Sequence, residues 1–376
     1  MKFAHLSDLH LGKHLNQYSL LEDQEYILNQ IITIIREQSV EAVLISGDIY
    51  DRPVPPGEAV SLFDDFLAEL AADKLPVCII SGNHDSPERI AFASRLIAAS
   101  GVYLAPVYQG EIQPVRLTDQ YGPVNFYMLP FIKPVHIRHF FPEEEAGTYT
   151  DAIRSAIAHM NVDWKERNIL LAHQFVTGAS RSDSEDISVG GLDNVDADVF
   201  DGFDYVALGH LHRAQNVGHG KIRYCGTPLK YSFSEVKDEK SVTIVNVEEK
   251  GTISMNTIPN VPLREMVCLE GEFREVMDAS FYENVDTDAY IRMTLTDEME
   301  VLDAFSRLRA VYPNLMRMDY KKRSRNLESG MGEMETAASL LPSELFERFY
   351  QEMNHQPMNE EQMEYMQEKI QKIWGV

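Results

Sequence analysis

Among the residues of ligand type in the first 212 positions, seven stand out as candidate metal ligands by their setting: Asp8, His10, Asp48, Asn83, His173, His210 and His212. They sit in five short motifs, Asp8-Leu9-His10, Gly47-Asp48-Ile49-Tyr50-Asp51, Gly82-Asn83-His84-Asp85, Ala172-His173 and Gly209-His210-Leu211-His212. Each follows a short apolar run, such as PVCIIS before Gly82 or NILLA before His173. Each therefore falls where a buried strand ends, which is where α/β sheets bind ligands. Carboxylate, amide and imidazole donors in this number fit two divalent ions sharing a bridging carboxylate. Such pairs stand about 3.5–4 Å apart and clamp the attacking and leaving oxygens of a phosphate ester. The expected chemistry is hydrolysis of that ester. No cysteine lies in any motif, which favours Mn, Fe or Zn in an oxygen and nitrogen site over a thiolate-bound structural zinc.

The spacing also makes a geometric claim. Residues two apart on a strand face the same way, so Asp8 and His10 can reach one metal together, as can His210 and His212 if the chain stays extended there. Asp-x-His or Gly-Asp carries little weight alone, whereas all five motifs in one order at strand ends carry a great deal. His5, His14, His136, His139, His159, His219 and His355 lack such a setting and are read as core or surface residues.

The elements that would position these motifs follow from periodicity. KFAHLS, EAVLIS and PVCIIS read as buried strands, each followed by a helix: Leu20 to Glu37 with Ile27, Ile31, Ile34 and Ile35 on one face, Gly57 to Asp73, and one opened by Ser86 as N-cap with Pro87 in the first turn. That is a βαβαβα, parallel, α/β arrangement. Beyond Gly101 come shorter β runs, a helix near Thr150 to Met160, and the strands carrying His173 and His210. IRYCG, SVTIVNV and TISMNTI then predict a mainly antiparallel edge.

A break follows Pro259 and Pro262, dividing a catalytic region at 1–262 from a small α+β domain at 263–320. In the latter, a helix is expected from Glu298 to Tyr312 with Val301, Phe305, Leu308 and Val311 on one face. Residues 321–341 read as a linker in which Lys321, Lys322, Arg323 and Arg325 form the densest basic cluster, a solvated linker or a phosphate-contacting patch. Residues 342–376 read as a helical hairpin. Leu345, Phe346, Phe349, Tyr350 and Met353 line one arm and Met363, Met366, Ile370 and Ile373 the other, and such faces must be covered by something.

The chain of 376 residues is 44% hydrophobic, enough for a sizeable core, and no apolar run approaches the ~20 residues of a membrane span. Its three cysteines, Cys78, Cys225 and Cys268, form no C-x-x-C pair, which suggests a reduced, cytoplasmic protein without disulfides.

The series D-x-H, GDxxD, GNHD, H and GHxH resembles the calcineurin-like metallophosphoesterase superfamily. MKFAHLSDLHLGK, VLISGDIYDRPVPP, IISGNHDSPERI, YVALGHLHRAQ and YCGTPLKYSFSE resemble one branch of it, nuclease subunits that act with an SbcC-type coiled-coil ATPase. The resemblance implies a two-sheet sandwich flanked by helices, a cap domain at 263–320 shaping DNA access, and docking of the 342–376 hairpin on the ATPase. It also implies a homodimer with two ions per chain, Mn2+ being the expected ion, and double-strand exonuclease and single-strand or hairpin endonuclease activity in DNA end processing, repair, recombination and replication. One metal would be held by Asp8, His10, Asp48 and His212, the other by Asp48, Asn83, His173 and His210, with a water between them as nucleophile. His84 would assist the leaving oxygen. GDIYDR resembles the GDxxDR of protein phosphatases, where the second aspartate orients that histidine, whereas archaeal and eukaryotic homologues carry a histidine near this position. Asp51 is therefore assigned to His84, with Asp85 as competitor, and Arg52 to a phosphate contact.

The formal charge of −25 runs against duplex binding, which draws on Lys and Arg to displace counterions. Two divalent cations beside two ligand aspartates would reverse that sign locally. Other binuclear phosphoesterases acting on small diesters or phosphoproteins would share every ligand but leave the cap and tail without a role. A non-catalytic scaffold would be expected to have lost ligands, and none is lost here.

Overall fold

A computed structural model of the protein describes residues 1–180, 193–218 and 220–321, and in the C-terminal stretch 346–347, 350–351, 358, 362–363, 365–366 and 369. The strands that build the site region are, in chain order, β1 (Lys2–Leu6), β2 (Ala42–Ser46), β3 (Val77–Ile80), β4 (Val102–Ala105), β5 (Val115–Asp119), β6 (Gly122–Met128), β7 (Arg167–His173), β8 (Tyr205–Gly209), β9 (Gln215–Val217), β10 (Ile222–Tyr224), β11 (Ser241–Val247) and β12 (Ile253–Pro259). They form two six-stranded sheets, ordered β12-β11-β1-β2-β3-β4 and β9-β10-β8-β7-β6-β5.

In the first sheet β1 to β4 are parallel, and β11 and β12 add an antiparallel edge. In the second, β6, β7, β8 and β10 are parallel, with β5 and β9 antiparallel at the two edges. The run IRYCG expected on the antiparallel edge therefore splits away from SVTIVNV and TISMNTI. It forms β10 beside β8, with Ala207 opposite Arg223, because a second parallel sheet needs a strand on that flank of the His210 strand.

Both faces of the central strands are apolar, as a sheet covered on each side requires. Alternate residues Phe3, Leu44, Ile80, Ile169, Leu171, Tyr205 and Val245 pack between the two sheets. Their neighbours Ala4, Val43, Ile45 and Ile79 turn outward against α1 (Leu21–Glu37) and α2 (Gly57–Ala72). On the other side Leu170, Ala172, Val206 and Leu208 turn toward α3 (Tyr149–Ala158). The three cores make a helix, sheet, sheet, helix sandwich. α3 opens on a capping box in which Thr148 accepts from the Asp151 amide at 3.1 Å while Asp151 accepts from that of Thr148 at 3.1 Å.

Two expected helices are cut short. The one after Ser86 spans only Pro87–Ile90 and Ser86 caps no amide, its hydroxyl instead lying 3.5 Å from the Glu88 carboxylate. The one expected from Glu298 shrinks to Ala304–Arg309, because Asp303 takes a left-handed φ of 52° and the Val301 amide is drawn to the Tyr320 hydroxyl at 2.9 Å. Leu308 of that stretch is buried, whereas Phe305 is exposed.

The chain divides into two compact units, Met1–Cys268 with Asp288–Ile291, and Leu269–Thr287 with Arg292–Val376. A three-stranded sheet of Met266–Gly271, Tyr290–Leu295 and Leu315–Tyr320, the middle strand second in the chain, follows the sandwich. In the expected hairpin Phe346, Tyr350, Met363 and Met366 are helical, with Phe346 44% exposed and Met366 buried. Leu345, Phe349, Met353, Ile370 and Ile373 lie outside the described residues, as do Lys322, Arg323 and Arg325. No described helix is long and apolar enough to cross a membrane.

Gly209 shows how closely the sheets approach. A Cβ there would collide with the Ser46 carbonyl oxygen and stand 2.7 Å from Nδ1 of His173, whereas one at Gly57 would meet nothing within 4 Å. Gly209→Ala should destabilise the protein by about 1–3 kcal/mol, the range for overpacking a rigid interior. Urea melts should show a lower midpoint for Gly209→Ala and an unchanged or slightly raised one for Gly57→Ala.

Candidate active site

Five turns at the carboxyl ends of β1, β2, β3, β7 and β8 bring the seven metal-type side chains into one cluster, buried except for the half-buried Asn83. The turns after β1 and β2 are laced by backbone bonds, Asp8 N to Gly47 O at 3.0 Å and His10 N to Asp48 O at 3.0 Å. The amide of His210, from the second sheet, donates to both Asp8 oxygens at 3.0 and 3.2 Å. His173, the last residue of β7, presents its Nδ1 to the Ser46 carbonyl at 2.8 Å, and this aims Nε2 at Asp48 Oδ2, 3.3 Å away. Gly82 exists for the same closeness, since a Cβ there would lie 2.5 Å from the Asp48 amide nitrogen.

Two foci result. Nε2 of His10 and Nε2 of His212 face one another at 3.1 Å, with Asp8 within ligating reach of both and Asp48 Oδ2 3.8 Å from His10 Nε2. The Asn83 amide oxygen lies 3.1 Å from His173 Nε2 and 3.0 Å from His210 Nδ1. Asp48 stands between the two groups. Two buried imidazole nitrogens aimed at each other can share at most one proton, and a buried cluster of this kind is satisfied by cations. Sulfur donors take no part in it, so the donor set suits divalent ions that accept nitrogen and oxygen.

With the protein's own charges alone the cluster is strongly perturbed. Burial, with the Asp48 charge, pushes the Asp8 carboxyl up to about 6 against the pull of His173. Burial acts the same way on Asp48, but His173, His10 and His84 outweigh it and hold that carboxyl well below the usual range. Burial opposes charge on His173, yet Asp48 and Asp8 prevail and it is pushed up to about 9. His10 goes the other way, held well below the ordinary value chiefly by burial. Imidazoles and carboxylates split to opposite extremes in one cleft mark a functional centre.

Several sequence expectations are corrected in their reasons. Asp8 and His10 do converge, but not by strand alternation: both have left their strand, with φ of 52° and 43°. His210, with φ 102°, breaks the extended chain expected through His212, so the two histidines go to different foci. The Asp51 carboxylate does not hold His84. It takes Lys13 Nζ at 2.6 Å and lies 3.9 Å from His10 Nδ1, while His84 Nδ1 faces the Asp51 main-chain carbonyl at 3.2 Å. Asp85, the competitor, is buried and accepts from the amides of Ile49, Tyr50 and Gly82 at 3.1, 3.0 and 2.9 Å, pinning the turn after β2 to that after β3. Arg52 is 70% exposed, with Nε 3.7 Å from Asp51.

His84 is the most exposed imidazole of the cluster at 22%, with Nε2 3.9 Å from Asp48 Oδ2 and its amide bonded to Asp48 Oδ1 at 2.9 Å. Three participants were given no role by the sequence: Lys13 and Glu235, which end the stretches MKFAHLSDLHLGK and YCGTPLKYSFSE, and Lys240, which lies outside both. Their contacts with Asp51 and His212 close over 38, 23 and 28 residues of chain, and no local pattern announces them.

Comparison with known proteins bears on the family. Residues 1–214 match the family described as calcineurin-like phosphoesterase, and residues 262–354 one described as type 5 capsule protein repressor C-terminal domain. A protein of Staphylococcus epidermidis, named as the nuclease subunit of SbcCD, is 30% identical over 371 residues, covering 96% of each chain. A solved structure from Thermus thermophilus aligns with TM-score 0.37 at 10% identity over 68% of this chain and 98% of its own. A dimetal phosphatase from Danio rerio aligns with TM-score 0.39 at 11% identity over 69% and 96%. Both scores are too low to build on. The match over residues 1–214, more than half of the chain, and the full-length relative lead to one assignment: the chain belongs to the calcineurin-like phosphoesterase family, in the branch of the SbcCD nuclease subunits.

Proposed function

We propose that this protein is a manganese-dependent DNA nuclease, both a double-strand exonuclease and a single-strand or hairpin endonuclease, acting with an SbcC-type ATPase in DNA end processing in the cytoplasm. The observation that carries the reading is the pair of foci sharing Asp48, with His10 and His212 at 3.1 Å on one side and Asn83, His173 and His210 on the other. Asp8, His10, Asp48 and His212 would hold one ion and Asp48, Asn83, His173 and His210 the second. Such a pair supplies, when bound, water activated at neutral pH and positive charge for the phosphate. Manganese suits the four imidazoles better than magnesium, which prefers oxygen.

The remaining chemistry belongs to the chain. His84 is assigned outside the ligand set; its Nδ1 faces the Asp51 carbonyl and its Nε2 lies 3.9 Å from Asp48 Oδ2, a place beside the cluster from which it would assist the leaving oxygen of a phosphodiester. Asp85 fixes the turns that carry Asp48 and Asn83. Lys13 and Arg52, gathered on Asp51 at the edge of the cluster, are positioned to meet phosphate charge. The name of the relative, a nuclease and a subunit of SbcCD, supports a nucleic-acid substrate and SbcC as partner. The apolar faces expected at 342–376 support docking on that partner's coiled coil, and a homodimer and a DNA-shaping role for the cap belong to the same reading.

Chelation should abolish cleavage of end-labelled duplex and hairpin DNA, and manganese should restore it better than magnesium; full activity in excess EDTA, with no metal by elemental analysis, would exclude a metal centre. Cleavage of bis-p-nitrophenyl phosphate without cleavage of DNA would move the substrate to small diesters.

His84→Asn should keep both metals and lower the rate on the order of 10²–10⁴-fold, the range for lost acid–base assistance. Asp48→Ala should instead lose metal, read by elemental analysis of the purified variants. A His84→Asn protein that cut at the parental rate would remove His84 from the chemistry.

Deleting residues 342–376 should abolish co-purification with an SbcC-type ATPase while leaving metal-dependent cleavage of the small diester intact. A sharp fall in melting temperature on deletion, with partner binding retained in a folded Phe346→Glu, Phe349→Glu variant, would assign the segment to the protein's own core.

A further inference from the structure

Because Nε2 of His212 faces His10, its Nδ1 points out of the cluster, toward Glu235. Glu235 is fully buried, and its Oε1 lies 3.7 Å from that Nδ1, an ion-pair distance longer than a hydrogen bond. Its other oxygen, Oε2, accepts from Lys240 Nζ at 2.6 Å, and Lys240 is itself buried. The same ammonium donates to the main-chain carbonyl of His212 at 2.8 Å, and the Thr227 amide donates to that carbonyl at 3.1 Å. One buried ion pair therefore grips His212 by its ring and by its backbone.

A buried ion pair seldom repays its own desolvation as stability, so its presence here asks for another use. An imidazole that ligates a metal through one nitrogen is ordinarily fixed by a carboxylate or carbonyl on the other, which sets the tautomer and raises donor strength. His173 already shows that arrangement with the Ser46 carbonyl at 2.8 Å. We propose that Glu235, held in place by Lys240, is a positioning residue for the metal centre: it keeps His212 protonated on Nδ1 so that Nε2 offers its lone pair to the ion shared with His10. The inference rests on reading the cluster as a two-metal site and adds to it the group that fixes one ligand.

The test is calorimetric titration of the chelator-stripped full-length protein with manganese. Wild type should take up two equivalents. Glu235→Gln should weaken one of them about 10–100-fold, the usual effect of removing such a partner, and leave the other unchanged. Lys240→Arg, which keeps the cation, should largely preserve both, and Glu239→Gln, an exposed neighbour, should change neither. Two sites of parental affinity in Glu235→Gln overturn the positioning role and leave the metal centre standing; no uptake by wild type overturns the metal centre itself. Should Glu235→Gln fail to fold, histidine ¹⁵N spectra of the zinc-loaded wild type decide, with the His212 signals identified by their loss in His212→Gln. Nδ1 protonated and Nε2 ligated support the role, and the reverse tautomer removes it.

Discussion

The Ser46 carbonyl accepts from His173 Nδ1 at 2.8 Å while the Ser46 hydroxyl donates to the Ala207 carbonyl at 2.9 Å. Both bonds cross from the first sheet to the second, and neither could form if the sheets were offset by one residue. The site depends on that registration. Asp8, His10, Asp48 and Asn83 leave the ends of the first sheet, whereas His173, His210 and His212 leave those of the second. Where the sheets meet, every ligand is within reach of another from the opposite layer. The bare backbones of Gly47 and Gly209 allow the approach, and the inner apolar residues from Phe3 to Tyr205 maintain it.

The turns that carry the ligands are costly by themselves. Asp8, His10 and Asp48 all adopt left-handed backbone conformations, each costing roughly 1–2 kcal/mol for a residue with a side chain. Asp85 offsets part of this by accepting three amides, and the backbone bonds between the turns after β1 and β2 offset more. A buried carboxyl raised to about 6, as that of Asp85 is by burial and then by the Asp48 charge, is a further cost. Strain and buried charge collected at one place are characteristic of function rather than of packing.

The sequence made the chemistry legible because metal ligation demands particular side chains and strand ends demand apolar runs before them. Both signals are local. βαβ order, the two long helices and the ligand-bearing turns could be read that way. Less could be read wherever the deciding contact was distant: β10 looked like part of an antiparallel edge because IRY does not reveal which strand it will lie beside. Helix shortening at Asp303 turned on a hydroxyl near the end of a strand that follows it. His84 found the Asp51 carbonyl rather than either candidate carboxylate, and main-chain oxygens leave no trace in composition. Glu235 ends the stretch YCGTPLKYSFSE, but nothing in that stretch told that it would lie beside His212.

The division of ligands between two sheets has a consequence for a chain that emerges from the ribosome amino end first. Asp8 and His210 are 202 residues apart, and they bond directly in the finished protein. A nascent chain that has made only the parallel strands β1 to β4 of the first sheet holds Asp8, His10, Asp48 and Asn83 but lacks the histidines that complete either focus. Both foci therefore stay incomplete until the strand ending at Gly209 and the two histidines after it have been made. A product that stops before His210 has neither focus complete, since His212 belongs to one and His210 to the other.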